Sequence, residues 1–292
     1  MIIQQLVNGL TLGSTYALTA VGYSMVFGIL ELVNFSHGSV YMVGAFLTLI
    51  FLTSLKLNFF VSFLLSIILT GLLGILIDKV SLYPLRRKNA PKVTALISTI
   101  GVSIFLQNLV MLVWGSETKN FPLVINPGAV EVMGVKISFL QMIIFSMCLV
   151  IMIGLNTMIQ KTRIGKAMRA TAQNAEAAKL MGIDINRVIM ITFFIGSALA
   201  SVAGTMVGMY YQTIDPYIGY MAGLKAFAAA VLGGIGVLPG AIVGGLLIGV
   251  IETLAAAYIN SGYRDAIAFA VLVLMLVIKP AGLLGKQVSK KV

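Results

Sequence analysis

Long apolar runs separated by short charged clusters organise this chain. The runs cover 6–29, 38–54, 59–77, 93–114, 138–159, 188–212 and 266–284. A helix that crosses a bilayer needs about 20 mainly apolar residues, so each run predicts a membrane span. Between the last two lies 224–257, almost free of charge, too long for one span and interrupted by GGIGVLPG (Gly233, Gly234, Gly236, Pro239 and Gly240 among them). Barrel strands would alternate apolar and polar positions, whereas these runs are solidly apolar, so the spans are helical. The pattern predicts an all-α polytopic membrane protein, a single membrane domain over 1–292. It should hold about eight to ten transmembrane segments, with two broken or re-entrant helices.

The second predicted break is LVNFSHGS, Leu32 to Ser39, which sets Asn34, Ser36, His37 and Gly38 between two apolar stretches. Irregular backbone at membrane depth survives only where protein or a water-filled cavity satisfies its polar groups. Interrupted segments in both halves of a chain point to a translocation path built on a repeat. Here the shared trace is thin, a glycine followed by small residues.

Charge orients the spans. Lys79, Arg86, Arg87, Lys88 and Lys92 fill the loop 78–92; Lys161, Arg163, Lys166, Arg169, Lys179 and Arg187 fill 160–187; Lys286, Lys290 and Lys291 end the chain. Basic loops of this kind stay in the cytoplasm, so 78–92, 160–187 and the C-terminal tail are expected there, with 115–137 outside. Parity then requires 224–257 to contribute an even number of crossings, as a re-entrant hairpin or as two short spans. The first apolar stretch, after MIIQQ, lacks a basic lead and reads as a retained helix.

Composition narrows the functions. Apolar residues make up 59% and charged residues 10%, with mean hydropathy +1.04, against roughly 25% charged in soluble domains. One cysteine, Cys148, and one histidine, His37, exclude a disulfide framework and a multi-ligand metal site, so no metal is expected. No G-x-x-x-x-G-K-[ST] string occurs, so the chain carries no phosphate loop of its own. The formal charge of +11 follows from the basic loops and implies no nucleic-acid partner. No nucleophile–base constellation stands out, so no catalytic residues are assigned.

The loop 160–187 is too patterned for a connector. Ala167, Met168, Ala170, Thr171, Ala175, Ala178 and Met181 favour a helix, while Arg163, Lys166, Arg169, Gln173, Glu176 and Lys179 recur at helical steps, and Gly182 is placed to cap its end. Such a helix over 163–182 could lie on anionic lipid or dock into a cytoplasmic partner. In the first span Asn8, Thr11, Thr15, Thr19 and Gly22 share one face, fit either for a path or for interhelical bonding. Asn34, Ser36 and His37 are path candidates at the break. Gly196, Ala200, Gly204 and Gly208 form a small-residue ridge, as do Ala241, Gly245 and Gly249, for packing within the chain or along a subunit seam. Glu31, Lys225, Glu252, Arg264 and Asp265 fall near predicted span ends, where snorkelling or surface pairing explains them. No predicted helix centre carries the carboxylate of a proton relay.

Several of these stretches resemble the permeases of branched-chain amino-acid ABC importers, of the LivH type. They are Asn8 to Phe46, ALISTIGVSIFLQN (Ala95 to Asn108), Asp215 to Glu252 and KPAGLLG (Lys279 to Gly285). The urea-importer permeases are similar. The resemblance implies a translocation subunit of a bacterial inner membrane, surrounded by membrane lipid and passing Leu, Ile or Val. It implies four kinds of neighbour: a second related permease, two cytoplasmic ATP-binding subunits that hold the ATP, and a periplasmic or extracellular substrate-binding protein. No cofactor is then bound by this chain. It also implies a coupling helix with a loose E-A-A-x-x-x-G string, here Glu176, Ala177, Ala178 and Gly182, approached by Arg163, Gly165 and Arg169; the longer form of that string departs at TFFIG from Thr192. The readings left beside it are a urea or short-amide permease and a self-contained ion-coupled carrier.

Overall fold

A computed structural model describes residues 2–123, 128–132 and 134–285. Lys286, Lys290 and Lys291, which carry the expectation of a cytoplasmic tail, lie outside the described residues. Helix α1 (Ile2–Leu30) is followed by α2 (Ser36–Thr53) and α3 (Phe59–Ile77). The last of these continues through a π-helical stretch (Asp78–Leu82) into the short α4 (Tyr83–Arg87). Then come α5 (Lys92–Trp114), α6 (Phe139–Lys161), α7 (Arg163–Gln173), α8 (Ala175–Leu180) and α9 (Ile185–Tyr211). The chain finishes with α10 (Ile218–Gly233), α11 (Leu238–Tyr258) and α12 (Arg264–Ile278). Four short strands, β1 (Lys119–Asn120), β2 (Ala129–Val132), β3 (Val135–Ser138) and β4 (Thr213–Ile214), pair as β1–β4 and as a β2–β3 hairpin. Among the described residues eight helices are long and apolar enough to cross a bilayer, and α10 is a shorter apolar one.

The contacts define two ends. At the basic end Lys92 pairs with Glu31 at 2.5 Å, and the Leu283 N–H donates to the Leu232 carbonyl at 2.8 Å. At the other, the Gln4 Nε2 donates to the Lys136 carbonyl at 2.9 Å and β1 pairs with β4. The segment 224–257 falls within α10 and α11, two antiparallel helices turning at the basic end, which supplies the even number of crossings that parity demands. At about 1.5 Å per residue α10 spans roughly 24 Å, short of a full bilayer core.

GGIGVLPG is therefore the turn of a helical hairpin, one of the two forms expected of it, and its glycines make the turn possible. Gly234 and Gly236 hold φ of +108° and +84°, a region that side chains with a Cβ rarely enter. Gly233 and Gly240 approach so closely that a Cβ on either would overlap the other's backbone. Pro239 sits in the first turn of α11, where its missing N–H costs nothing.

α1 and α9 form the buried centre, while α5, α6 and α12 show apolar outer faces. Lipid tails are as apolar as leucine, so burial of apolar area does not drive these helices together; close packing and interhelical hydrogen bonds do. Gly9 and Gly13 of α1 lie against the backbone of α11 at Val250 and Leu246, and Gly245 and Gly249 of α11 lie against Ala17 and Gly13. The second ridge is likewise used inside the chain: Gly196 faces Gly22, Gly204 faces the Tyr41 backbone, Gly208 faces Ile214 and Phe121, and Ala200 is fully buried. Hydroxyls join α9 to its neighbours, Ser201 to Ser66 at 3.0 Å and Thr205 to Thr48 at 2.8 Å.

Gly249→Ala is accordingly expected to lower stability by about 1–3 kcal/mol, since overpacking must push two backbones apart. Gly101→Ala and Gly154→Ala, where a Cβ meets nothing within 4 Å, should leave it level or slightly raised. Thermal unfolding of the three variants in detergent checks the contrast.

Candidate functional site

The basic end carries the loop 160–187 as two helices where the sequence predicts one. Asn174 adopts extended backbone (φ −160°, ψ 107°), ending α7 and capping α8 through its Oδ1, which accepts from the Ala177 N–H at 2.9 Å. A short polar side chain that can bond its own backbone competes with helix continuation. Thr162 caps α7 in the same way, accepting from the Gly165 N–H at 3.1 Å. α7 turns Gly165, Met168 and Thr171 inward. Gly165 lies directly on the Ile159 backbone, and the Arg169 guanidinium donates to the carbonyls of Ile159 and Gln160, which end α6 without helical partners. α8 closes with Gly182 at φ +81°: its N–H donates to Lys179 O at 3.0 Å and Ile183 N–H to Ala178 O at 3.1 Å, both bonds of a glycine helix stop.

Of the residues expected to meet an ATPase, Gly165 and Ala178 are thus buried within the chain, and Arg169 is occupied by α6. Arg163, Glu176 and Ala177 face outward. The sequence reading did not single out Leu180, which projects with Met181 from the end of α8 at 88% and 83% exposure. The available signal was an apolar pair directly before a capping glycine. Beside this tip, α4 presents Arg86 and Arg87 across a cleft of about 580 Å³ that also includes Lys179. Arg86 is held there by both oxygens of buried Asp78, at 2.5 and 3.2 Å.

Residues expected on the path fall in three places. Asn8 sits toward the strand end, its Oδ1 accepting from Gln141 Nε2 at 2.8 Å. Thr11 and Thr15 are buried, and their hydroxyls donate to Val7 and Leu12 carbonyls of their own helix. Asn34 and Ser36 build the start of α2: Asn34 Oδ1 accepts from the Ser36 N–H at 3.1 Å and its hydroxyl at 2.6 Å. His37 is buried edge-on to Tyr23, ring centroids 4.6 Å apart, with Nε2 unpartnered against Gly22. A cleft of about 340 Å³ does open at this level between α2, α5 and α10, but its polar lining is Tyr23, Ser39, Ser103, Gln107 and Tyr220.

Glu252 and Lys225 are paired, but in a buried cluster and not by snorkelling or at the surface. Glu252 is fully buried on α11; Lys225 Nζ lies 2.9 Å from its Oε1 and 2.5 Å from Asp265 Oδ1. Arg264 pairs with Glu252 and donates to the Tyr211 hydroxyl at 2.9 Å, and the Tyr16 hydroxyl donates to Glu252 at 3.3 Å. A carboxylate does therefore lie inside the bundle, matched by two cations. The charges come from α10, α11 and α12, so their convergence depends on how these helices pack. Removing Lys225 leaves the fully buried Glu252 with Arg264 alone and the cluster one cation short, a cost below the about 3–5 kcal/mol of a wholly unpaired buried charge. Lys225→Met should therefore destabilise the protein more than the pair Lys225→Met/Glu252→Gln, as read from unfolding midpoints in detergent.

Residues 5–276 match the family described as branched-chain amino acid transport system / permease component. The chain is 46% identical to the high-affinity branched-chain amino acid transport system permease protein BraD of Pseudomonas aeruginosa, covering 99% of this chain and 98% of that protein. It is 43% identical to the corresponding permease protein LivH of Escherichia coli K12, over 99% and 97%. At 26% identity it also resembles the ribose import permease protein RbsC of Haemophilus influenzae, over 94% and 84%. No solved structure matches the chain.

Proposed function

This chain belongs to the family of branched-chain amino acid transport permeases, and from that premise we propose that it passes Leu, Ile and Val across a bacterial inner membrane. It is a transport subunit and not an enzyme. In this reading it works beside a second related permease, two cytoplasmic ATP-binding subunits that bind the ATP, and an external substrate-binding protein. The basic end, with 78–92 and 160–187, faces the cytoplasm.

The observation that supports an outside motor is the tip of α8. Two of the most exposed large apolar side chains, Leu180 and Met181, project from a basic loop. Exposed apolar side chains ringed by charge mark a protein contact, and the 11-residue α7 behind them transmits force. It is fastened to α6 by Arg169 and packs on α1 and α9, so a push on α7–α8 reaches both central helices. Movement of packed helices as rigid units suits such a lever. The buried Glu252 is paired through Oε1 with Lys225 and Arg264, as in a structural ion cluster.

Leu180→Glu/Met181→Glu should abolish ATP-dependent uptake and co-purification of the ATP-binding subunits, while the permease still accumulates in the membrane. Gly182→Val, forcing a β-branched residue into φ +81° at about 1–3 kcal/mol, should uncouple ATP hydrolysis from uptake. Proteoliposome assays with labelled leucine and labelled urea decide the substrate. Preference for urea, or uptake driven by a proton or sodium gradient without ATP, would overturn the reading.

A further inference from the structure

The cleft of about 580 Å³ at the basic end lies between α4 and the turn from α8 to α9, and its level relative to the bilayer decides what enters it. α3 carries 19 residues, roughly 28 Å of helix at about 1.5 Å per residue, close to the thickness of a hydrocarbon core. Ile77 therefore marks the edge of the lipid tails, and Asp78 is the first residue beyond it. Arg86, eight residues on, sends its guanidinium back to both oxygens of buried Asp78, at 2.5 and 3.2 Å. That pairing fixes a cation at the boundary between tails and headgroups.

Three features at this level favour an anion. Arg87 lines the cleft from α4 and Lys179 from α8, and among the described residues neither has an ion-pair partner. Arg86 keeps further N–H donors after binding Asp78. Ile185 and Asn186 bring the start of the 27-residue α9 to the same wall, and a helix N-terminus favours negative charge. The one carboxylate that lines the cleft, Asp184, is engaged as the cap of α9, accepting from the Arg187 N–H at 3.2 Å.

A second observation comes from the outer face of the same helix. Leu65, Leu69, Leu72, Leu76, Val80 and Tyr83 follow one another at three- or four-residue steps, and all are between 38% and 69% exposed. Steps of this size share one side of a helix, so the six form a single apolar stripe that descends α3 and ends at the cleft, whose wall includes Tyr83. An acyl chain laid along the stripe keeps apolar contact over its length and brings its headgroup to the cations. A free phosphate makes no use of the stripe, and an acidic protein segment would have to enter the lipid to reach it.

We propose that the cleft holds the headgroup of an anionic phospholipid, its chains lying along the α3 stripe. Arg87 and Lys179 take the phosphate, and Arg86 and the start of α9 add donors from the wall. Basic pockets between helices at a membrane face suit such headgroups. Arg87 belongs to α4 and Lys179 to α8, so one bound lipid ties α8, whose tip carries Leu180 and Met181, to the end of α3. Occupancy therefore sets how firmly that tip is seated, which makes the lipid a regulator of the subunit. The site itself goes beyond the permease reading; its effect on uptake rests on it.

The test uses the intact transporter, purified with its co-purifying subunits and stripped of lipid in detergent, with bound lipids counted by native mass spectrometry. Phosphatidylglycerol should be retained and phosphatidylcholine should not. Arg87→Gln/Lys179→Gln should weaken retention about 30-fold, equivalent to about 1 kcal/mol for each basic residue lost. The charge-matched Lys88→Gln/Lys161→Gln, outside the cleft, should keep it; all four side chains are exposed, so both variants fold. Equal retention by the two variants, or displacement of the lipid by excess inorganic phosphate, overturns the proposal. Ala175→Cys, on the cleft wall, should be shielded from a water-soluble maleimide by phosphatidylglycerol; shielding by the co-purifying subunits alone puts protein there and overturns it too. In liposomes, ATP-driven uptake by the unaltered transporter should rise with the phosphatidylglycerol fraction and stay flat for the cleft variant, and a parallel rise in both overturns the regulatory role. Failure of the unaltered transporter to take up labelled leucine at any lipid composition strikes at the substrate reading instead, and the lipid count decides the site in either case.

Discussion

Backbone-to-backbone contact between helices is the constraint on which this structure depends. In lipid an apolar side chain gains little by leaving the tails, so helices associate where backbones can approach and dispersion and dipole contacts accumulate. The chain places glycine where that approach is closest: Gly9 and Gly13 against α11, Gly249 and Gly245 against α1, Gly204 against α2, Gly74 against α9. These contacts bury α1 and α9 at the centre and push the bulkier α5, α6 and α12 to the lipid face.

Polar groups inside the bundle are handled in three ways. Most hydroxyls bond the carbonyl one turn back on their own helix, as Thr11, Thr19 and Thr192 do, which consumes the donor without fixing a neighbour. A smaller set bridges helices and fixes register, Ser66 with Ser201 and Thr48 with Thr205. The third is the Lys225–Glu252–Arg264–Asp265 cluster, which ties α12 to the α10–α11 hairpin. Its charges are far costlier to bury than a hydroxyl, and mutual pairing offsets that cost. At the basic end Arg169 and Arg86 do comparable work on a smaller scale, closing the end of α6 and gripping Asp78.

Span number, helix ends and parity were legible from hydropathy and charge because they depend only on local apolar length and on where lysine and arginine accumulate. The expected even crossing of 224–257 is met by α10 and α11. Gly182 as a helix stop was legible for the same reason, since one backbone dihedral and two local hydrogen bonds decide it. The continuity of 163–182 was misjudged because Asn174 is a fair helix residue by neighbourhood and a strong cap by hydrogen bonding, and the second effect prevailed. Leu180 carries no signal in the sequence, since an apolar residue in an apolar chain is set apart only by its exposure.

What the sequence determined alone, then, was a helical membrane protein of this family, with its spans and their likeness to known permeases, all encoded in runs and strings that adjacent residues spell out. Only tertiary structure decided which residues meet. It took Asn8, Thr11, Thr15, Asn34, Ser36 and His37 to separate places and gathered Lys225, Glu252, Arg264 and Asp265 into one. Pairwise meeting depends on helix rotation and crossing, which are fixed by contacts between residues far apart in the chain, and no local pattern records them.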